Sequence, residues 1–277
     1  MHRWHGGCCR VPRVSAAREM RARDWDRVAA DYFGEIVSPL AAGIPRPFSR
    51  ALAAIPDPAR KTVADLGCGI GTLLEPLAAR FGRVIGVDFS AAMLARARAD
   101  CRARNVTFRR ADLADLRPLH GTLDVATTVN SVLTPDPERL DRVFGELLAV
   151  LRPGGVLLGI FPSMEAVLYS GFLIHERARR RTSAARARAV TSLVLERAKY
   201  DFVHGTYRED ARAQKFFYAF ELTYRLRRAG FRRVRLGRVP YPWDAVGGYE
   251  RFPGEPPMWD WLVHARRPRL QAPSGRG

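Results

Sequence analysis

The sequence has few lysines, few cysteines and no long apolar run, and each scarcity excludes something. Only three of the 46 basic residues in this 277-residue chain are lysines, an arginine bias that points to a GC-rich genome. The four cysteines have neither disulfide nor metal-ligand spacing, which predicts a reducing, cytoplasmic location and no metal. No apolar run reaches the ~18 residues of a membrane span, so none is predicted.

Charge of one sign is in excess. The chain has only 28 acidic residues, which gives a net charge of +18. A surface with this charge attracts anions, so one interpretation of the excess is that the protein binds RNA or an acidic substrate. The simpler interpretation is a basic surface that is only solvated. Hydrophobic residues make up 47% of the chain, enough for the core of one large α/β domain or of a domain with an insertion.

One stretch carries most of the functional information. The apolar run 62–66 leads into three glycines at alternate positions, Gly67, Gly69 and Gly71. A helical pattern follows, and a second apolar run then ends on Asp88. Strand, glycine turn, helix, strand and acid form the unit that binds a nucleotide-like cofactor in a doubly wound sheet. The glycines let backbone N–H groups approach a ligand, and the acid can accept hydrogen bonds from two ribose hydroxyls.

The glycine spacing favours one ligand. Dinucleotide sites prefer G-x-G-x-x-G, whereas this chain has G-x-G-x-G with Asp65 two residues ahead of the first glycine. A carboxylate there would repel a pyrophosphate and would suit a cationic amino group. S-adenosyl-L-methionine offers an adenine, a ribose and an ammonium group without a phosphate, and is therefore the predicted cofactor.

Five segments in order carry a family resemblance. VADLGCGIGTLLEPLA resembles the first motif of class I S-adenosylmethionine-dependent methyltransferases (type 11/25-like), and VIGVDFSAAMLARARA resembles the second. NVTFRRADLADL, LDVATTVNSVL and LRPGGVLLG resemble the third motif, the fourth motif and the strand that follows. The resemblance covers residues 24–239 and, weakly, a last strand at 259–266. A nucleotide-binding fold with another ligand is the alternative.

The resemblance implies an α/β fold. Its core is a Rossmann-like seven-stranded sheet with an antiparallel last strand, in a three-layer α/β/α sandwich with a helical insertion after strand five. The expected divisions are a disordered basic leader or misread start at 1–20, a helical cap at 21–60, a cofactor-binding core at 61–162, a helical insertion covering the substrate at 163–213, a C-terminal helix and closing strands at 214–267, and a disordered tail at 268–277.

The resemblance also implies a set of cofactor-binding residues. They are Tyr32, Asp65, Gly67, Cys68, Gly69, Gly71, Asp88, Phe89, Met93, Asp112, Leu113, Asn130 and Ser131. Asp112 would accept hydrogen bonds from the adenine amino group, and the Leu113 N–H would donate to a ring nitrogen of the adenine. Asp115 is the less favoured alternative to Asp112. An acid that caps the next helix is the other interpretation. Tyr32 and Met93 would contact the methionine end and the adenine face, or simply pack in the core.

The expected function is methyl transfer to a small-molecule acceptor by direct in-line displacement. An RNA or protein methyltransferase and a non-enzymatic cofactor-binding subunit are the alternatives. Strand four is followed by neither an Asn/Asp-Pro-Pro-aromatic tetrad nor a cysteine, which weakens the nucleic-acid hypothesis. His175, His204, Tyr207 and Glu221 are candidate general bases by residue type alone, so no catalytic residue is assigned. The acceptor, the atom methylated and the oligomeric state stay open.

Overall fold

The computed structural model describes residues 18–31, 38–40, 43–197, 200–209, 212–243 and 251–269. In these ranges no helix has both the length and the apolar character of a membrane span. The predicted cofactor ligand Tyr32, most of the predicted leader (1–17) and most of the predicted tail (270–277) lie outside the described residues.

Strands and helices alternate along the central part of the chain. The strands are β1 (Arg18–Glu19), β2 (Thr62–Leu66), β3 (Arg83–Asp88), β4 (Val106–Arg110), β5 (Leu123–Val129), β6 (Leu151–Phe161), β7 (Tyr200–Asp201), β8 (Thr206–Glu209), β9 (Arg212–Lys215), β10 (Arg232–Tyr241) and β11 (Met258–Arg266). The α-helices are α1 (Ala22–Val28), α2 (Arg46–Ala53), α3 (Leu74–Ala78), α4 (Ala91–Asp100), α5 (Pro137–Ala149), α6 (Met164–Arg179), α7 (Ala184–Arg197) and α8 (Ala219–Ala229).

The main sheet has seven strands in the order β10-β11-β6-β5-β2-β3-β4. Strands β2 to β6 pair in parallel, whereas β11 is antiparallel to both of its neighbours, β6 and β10. Parallel neighbours need long crossover connections, and α3, α4 and α5 lie in those connections. The predicted Rossmann-like sheet with an antiparallel last strand is confirmed.

Helices cover both faces of this sheet. Phe48 of α2, Leu74 of α3 and Leu94 of α4 are buried in the core on one face. Phe144 of α5 and Leu222 of α8 are buried in the core on the other. Because strands of a parallel sheet are apolar on both sides, both faces must be covered. The predicted three-layer α/β/α sandwich is confirmed.

A second sheet of four short strands has the order β1-β9-β8-β7. Strand β1 pairs with β9 in parallel, and Arg18 forms a 2.5 Å salt bridge with the buried Asp24. The side chain of Met20 is buried beside them. The prediction that residues 18–20 belong to a disordered leader is therefore wrong. Pairing with a strand almost 200 residues away along the chain holds them, and local sequence cannot reveal such a partner.

The insertion after β6 begins as two helices, as expected, but continues as strands from Tyr200. The helix expected from residue 214 begins only at Ala219, because Gln214 and Lys215 belong to β9. The Lys215 N–H donates to Leu133 O at 2.8 Å, so a long-range backbone contact overrides the local helical pattern. The division of the chain into a core and a substrate cover stays a prediction.

The segment Arg152–Gly155, which contains a proline and two glycines, is part of β6. This strand runs from Leu151 to Phe161, and its pairing with β5 shifts in register between Leu123 and Val125. An irregularity of this kind absorbs extra residues without ending a strand. The proline and glycines therefore mark a break in the ladder at its start.

Candidate functional site

The carboxyl ends of β2 to β5 open into one cleft. It contains about 820 Å³ of empty space, part of it open to solvent. The strand order reverses between β2 and β5, and open α/β sheets bind ligands at such points. The predicted site residues that line the cleft are Gly67, Gly69, Asp88, Phe89, Met93, Asp112, Leu113, Asn130 and Ser131.

Asp88 ends β3 and is 7% exposed. Its Oδ2 accepts a hydrogen bond from the Gly69 N–H, and its Oδ1 accepts one from the Ser90 N–H, both at 2.9 Å. Burial raises the pKa of this carboxyl, and the hydrogen bonds from the loop backbone oppose that rise. Each oxygen of a carboxylate can accept more than one hydrogen bond. The group can therefore receive a ligand that presents two neighbouring hydroxyls.

The glycine turn between β2 and α3 requires glycine for two reasons. Gly67 has φ +77°, and a Cβ at this position would overlap the side chain of Ser131. Gly71 has φ +86°, and a Cβ there would lie 2.9 Å from the Ala97 Cβ. The Gly67 N–H also donates to Val87 O at 2.7 Å, which fixes the turn against β3.

Three predicted site residues, Asp65, Cys68 and Gly71, are not among the residues that line the cleft. Asp65 is buried at the end of β2, where it accepts a hydrogen bond from Thr127 Oγ1 at 2.9 Å. Burial raises the pKa of this carboxyl to about 7. Burial also raises the pKa of the Cys68 thiol, which makes the thiolate scarce and the sulfur a poor nucleophile.

Asp112 follows β4 and is held by an arginine that sequence reasoning missed. Arg139 Nη2 donates to the two Asp112 carboxylate oxygens at 2.7 and 2.6 Å, and its Nε donates to Glu19 Oε1 at 3.1 Å. All three residues line the cleft. No local motif marks Arg139, because only the tertiary structure brings the first turn of α5 beside the end of β4.

Asn130 follows β5 in the left-handed region, with φ +45°. Its Nδ2 donates to Asp260 Oδ2 at 2.8 Å, while its Oδ1 is buried without a hydrogen-bond partner among the described residues. Asp260 also accepts from the Ser163 N–H at 3.3 Å and from the Tyr241 hydroxyl. Burial raises the Asp260 pKa to about 6. This carboxyl joins the ends of β5, β6 and β10.

The N-terminal segment, where a helical cap was expected, supplies one wall of the cleft. Met20 and Trp25 line the cleft. Asp26 Oδ1 accepts from Ser90 Oγ at 2.6 Å and from the Ala92 N–H at 3.1 Å, which ties α1 to the start of α4. Ser90 caps α4, because its side chain accepts a hydrogen bond from the N–H of Met93.

The candidate bases lie elsewhere. His175, His204, Tyr207 and Glu221 do not line the cleft. His204 is 2.9 Å from Asp201, and Glu221 receives Lys215 Nζ at 2.7 Å. These contacts give both residues structural partners, so no catalytic base is assigned.

Comparison with known proteins gives the family. Residues 63–155 match the family model described as a methyltransferase domain. The trans-aconitate 2-methyltransferase of Variovorax paradoxus is 41% identical over 116 residues, which is 40% of this chain and 42% of that protein. The corresponding protein of Deinococcus radiodurans is 40% identical over 107 residues, 38% of this chain and 39% of that protein. The chain thus matches about two fifths of the length of these relatives.

Solved structures agree on the fold. A S-adenosylmethionine-dependent methyltransferase from Methanosarcina mazei superposes with a TM-score of 0.57 at 16% identity, covering 79% of this chain and 97% of that one. DhpI in complex with S-adenosylhomocysteine gives 0.58 at 19% identity, covering 90% and 96%. The match identifies residues 63–155 as a methyltransferase domain, and together with the fold it supports a class I S-adenosylmethionine-dependent methyltransferase whose cofactor is S-adenosyl-L-methionine. The family and the cofactor predicted from the motifs are confirmed.

Proposed function

We propose that this protein is an enzyme that transfers the methyl group of S-adenosylmethionine to a small-molecule acceptor. The observation that carries the proposal is the Asp88 carboxylate in the cleft. Two backbone N–H groups fix its orientation, and its remaining acceptor capacity matches a ribose diol. The carboxylates that line the cleft suit a cofactor that presents hydroxyl and amino groups and carries no phosphate.

The cofactor would lie along the carboxyl ends of the strands. Asp88 would hold the ribose, and the turn at Gly67 and Gly69 would pass beside it. Phe89, Met93, Asp112 and Leu113 would surround the adenine, and Asn130 and Ser131 would lie at the methionine end. Contacts from Asp65 to the cofactor amino group and from Tyr32 to its methionine end stay predictions.

The sulfonium supplies an already activated methyl group when the cofactor is bound. The protein then has to align an acceptor with that group and exclude water, and orientation alone can supply much of the rate. Trp25 and Met20, which line the cleft from the N-terminal segment, are among the apolar side chains placed to exclude water. A base is required only for a protonated, weakly acidic acceptor.

The relatives do not identify the acceptor, because this chain matches only about two fifths of their length. Their name makes trans-aconitate the first acceptor to assay. The charges of the cleft weigh against a tricarboxylate, however. Glu19, Asp88 and Asp112 line it, and its one cation among the described lining residues is Arg139, which is already paired with two of those acids. The same acids weigh against RNA, which the net charge of +18 favours.

The first test is calorimetric titration with S-adenosylhomocysteine, with NAD as the control ligand. We expect micromolar binding of the former alone. Asp88→Ala should weaken it at least a hundredfold, because two hydrogen bonds to a charged acceptor are lost. Asp100→Ala, an exposed acid at the end of α4, is the matched control and should bind as wild type. Unchanged affinity in Asp88→Ala would refute the cofactor placement.

Turnover is tested next with labelled methyl donor and a panel of acceptors: trans-aconitate, catechol, tyramine and total RNA. Transfer to one of the small molecules would support the proposal. Transfer to RNA, with a steep salt dependence of binding, would replace it by the nucleic-acid alternative. A cell extract is assayed in the same way. If S-adenosylhomocysteine binds but no methyl group is transferred to the panel or to any fraction of the extract, a non-enzymatic subunit is favoured.

A further inference from the structure

Arg139 joins two acids across the cleft. It lies in the first turn of α5, and its guanidinium is partly buried between Asp112 and Glu19. One nitrogen, Nη2, reaches both carboxylate oxygens of Asp112, and Nε reaches Glu19. A guanidinium is planar and permanently charged, so this pairing fixes the orientation of the Asp112 carboxylate.

The hydrogen bonds of Asp112 leave one oxygen available. Oδ1 accepts from Arg139 and also from the Ala114 N–H at 2.8 Å, which uses both of its lone pairs. Oδ2 accepts from Arg139 alone among the described residues, so one acceptor position remains on it. Asp112 lines the cleft beside Leu113.

We propose that Arg139 is a positioning residue that sets the base specificity of this site. By holding Asp112 in one rotamer, it directs the free acceptor position of Oδ2 toward an exocyclic amino group on the purine. The inference rests on the proposed function, since it requires the adenine of the cofactor to lie between Asp112 and Met93. Arg139 would thus act on the cofactor indirectly, through the side chain of Asp112.

A purely structural role is the competing explanation. Arg139 also anchors Glu19, and through it the strand β1 that forms one wall of the cleft. Loss of an anchor would weaken every ligand of the cleft by a similar factor. Loss of a positioning residue would weaken only a ligand that carries the amino group. The two roles are separated by comparing two ligands that differ in that group alone.

The test uses calorimetric titration of the full-length protein with S-adenosylhomocysteine and with its 6-deamino analogue, in which hydrogen replaces the amino group. The ring nitrogens are unchanged, so backbone contacts to the base are retained. Wild type should prefer S-adenosylhomocysteine at least tenfold, the value of one hydrogen bond to a charged acceptor. Arg139→Gln should reduce that preference to about threefold or less, because Asp112 is then free to rotate. Arg142→Gln, one turn further along the same helix and exposed, is the charge-matched control and should keep the wild-type ratio.

Two outcomes would overturn the inference. One is a wild-type preference below threefold. The other is an Arg139→Gln ratio equal to or above that of wild type, which an equal fall in the affinity for both ligands would also give. If Arg139→Gln does not fold, Arg139→Lys replaces it and should lower the ratio to an intermediate value, with an unchanged ratio counting against the inference. If wild type binds neither ligand, the cofactor placement itself fails, which is a different result.

Discussion

Two regions at the cleft are held in different ways. The floor is the glycine turn with Asp88, and the cover is here the small sheet β1-β9-β8-β7 together with α8. At the floor, the glycine turn and Asp88 are joined by hydrogen bonds between segments about 20 residues apart, within one strand–helix–strand unit. In the cover, β1 pairs with β9, and Lys215 of β9 pairs with Glu221 of α8. The floor therefore depends on local backbone geometry, and the cover depends on a few buried contacts between distant segments.

The largest effect is expected at the floor. Gly67→Ala should lower the free energy of unfolding by about 4 kcal/mol, because backbone strain at φ +77° adds to an overlap with Ser131. Gly121→Ala is the matched control: its φ is +66°, but nothing lies within 4 Å of the new Cβ, so about 1 kcal/mol is expected. Urea unfolding measures both. Equal losses in the two variants would show that close approach to Ser131 does not constrain the turn.

A pH-dependent effect of about 4 kcal/mol is expected from Asp65, since a pKa difference of one corresponds to about 1.4 kcal/mol. Burial raises its pKa from 3.8 to about 7. For a raised carboxyl pKa, the contribution to stability is fully present below about pH 4 and is lost as the pH rises through about 7. Asp65→Asn keeps an acceptor for Thr127 without this titration. Between about pH 4 and 8, urea unfolding should show the variant gaining stability relative to wild type. If the difference in stability between Asp65→Asn and wild type does not vary with pH, the raised pKa of Asp65 is contradicted.

In the cover, an effect of about 2 kcal/mol is expected from Glu221→Gln. Lys215 Nζ is buried and donates to Glu221 and to the carbonyl oxygens of His204 and Phe216, so the variant leaves an ammonium with neutral partners only. Glu138→Gln, at an exposed position of α5, is the control and should change stability by less than about 0.5 kcal/mol. Thermal unfolding compares the two. A loss in Glu221→Gln no larger than that of the control would show that the pair does not hold β9.

The smallest effect is expected on the outer face of α8. Phe220 is 71% exposed. Phe220→Ser should therefore change the free energy of unfolding by no more than about 0.5 kcal/mol, since little apolar area returns to water. Leu222→Ala, two residues along and fully buried, should cost about 3 kcal/mol. A Phe220→Ser loss as large as that of Leu222→Ala would mean that another surface covers this face in solution.

The fold was predictable where local sequence and tertiary contacts agree. The glycine turn, the acid at the end of β3 and the cap at Ser90 each follow from residues within one unit, where steric limits and hydrogen-bond geometry leave few alternatives. Most residues predicted from the motifs accordingly line one cleft. Strand four, expected within the segment LDVATTVNSVL, forms as the parallel strand β5 (Leu123–Val129).

Prediction failed where a distant segment decides the structure. Residues 18–20 carry no local signal of a strand, and Gln214 and Lys215 fit a helical pattern, yet both segments pair in the small sheet. Glu19 and Arg139 reach the cleft only because β9 and α5 bring them there.

The sequence by itself indicated the methyltransferase domain, the Rossmann-like sheet with its antiparallel last strand, and the cofactor, because the glycine turn, the carboxylates and the apolar periodicity act over short distances. The tertiary structure alone decided which residues close the cleft. Those contacts join positions more than 100 residues apart, and the free energy that favours them comes from burial and charge pairing that no local pattern specifies.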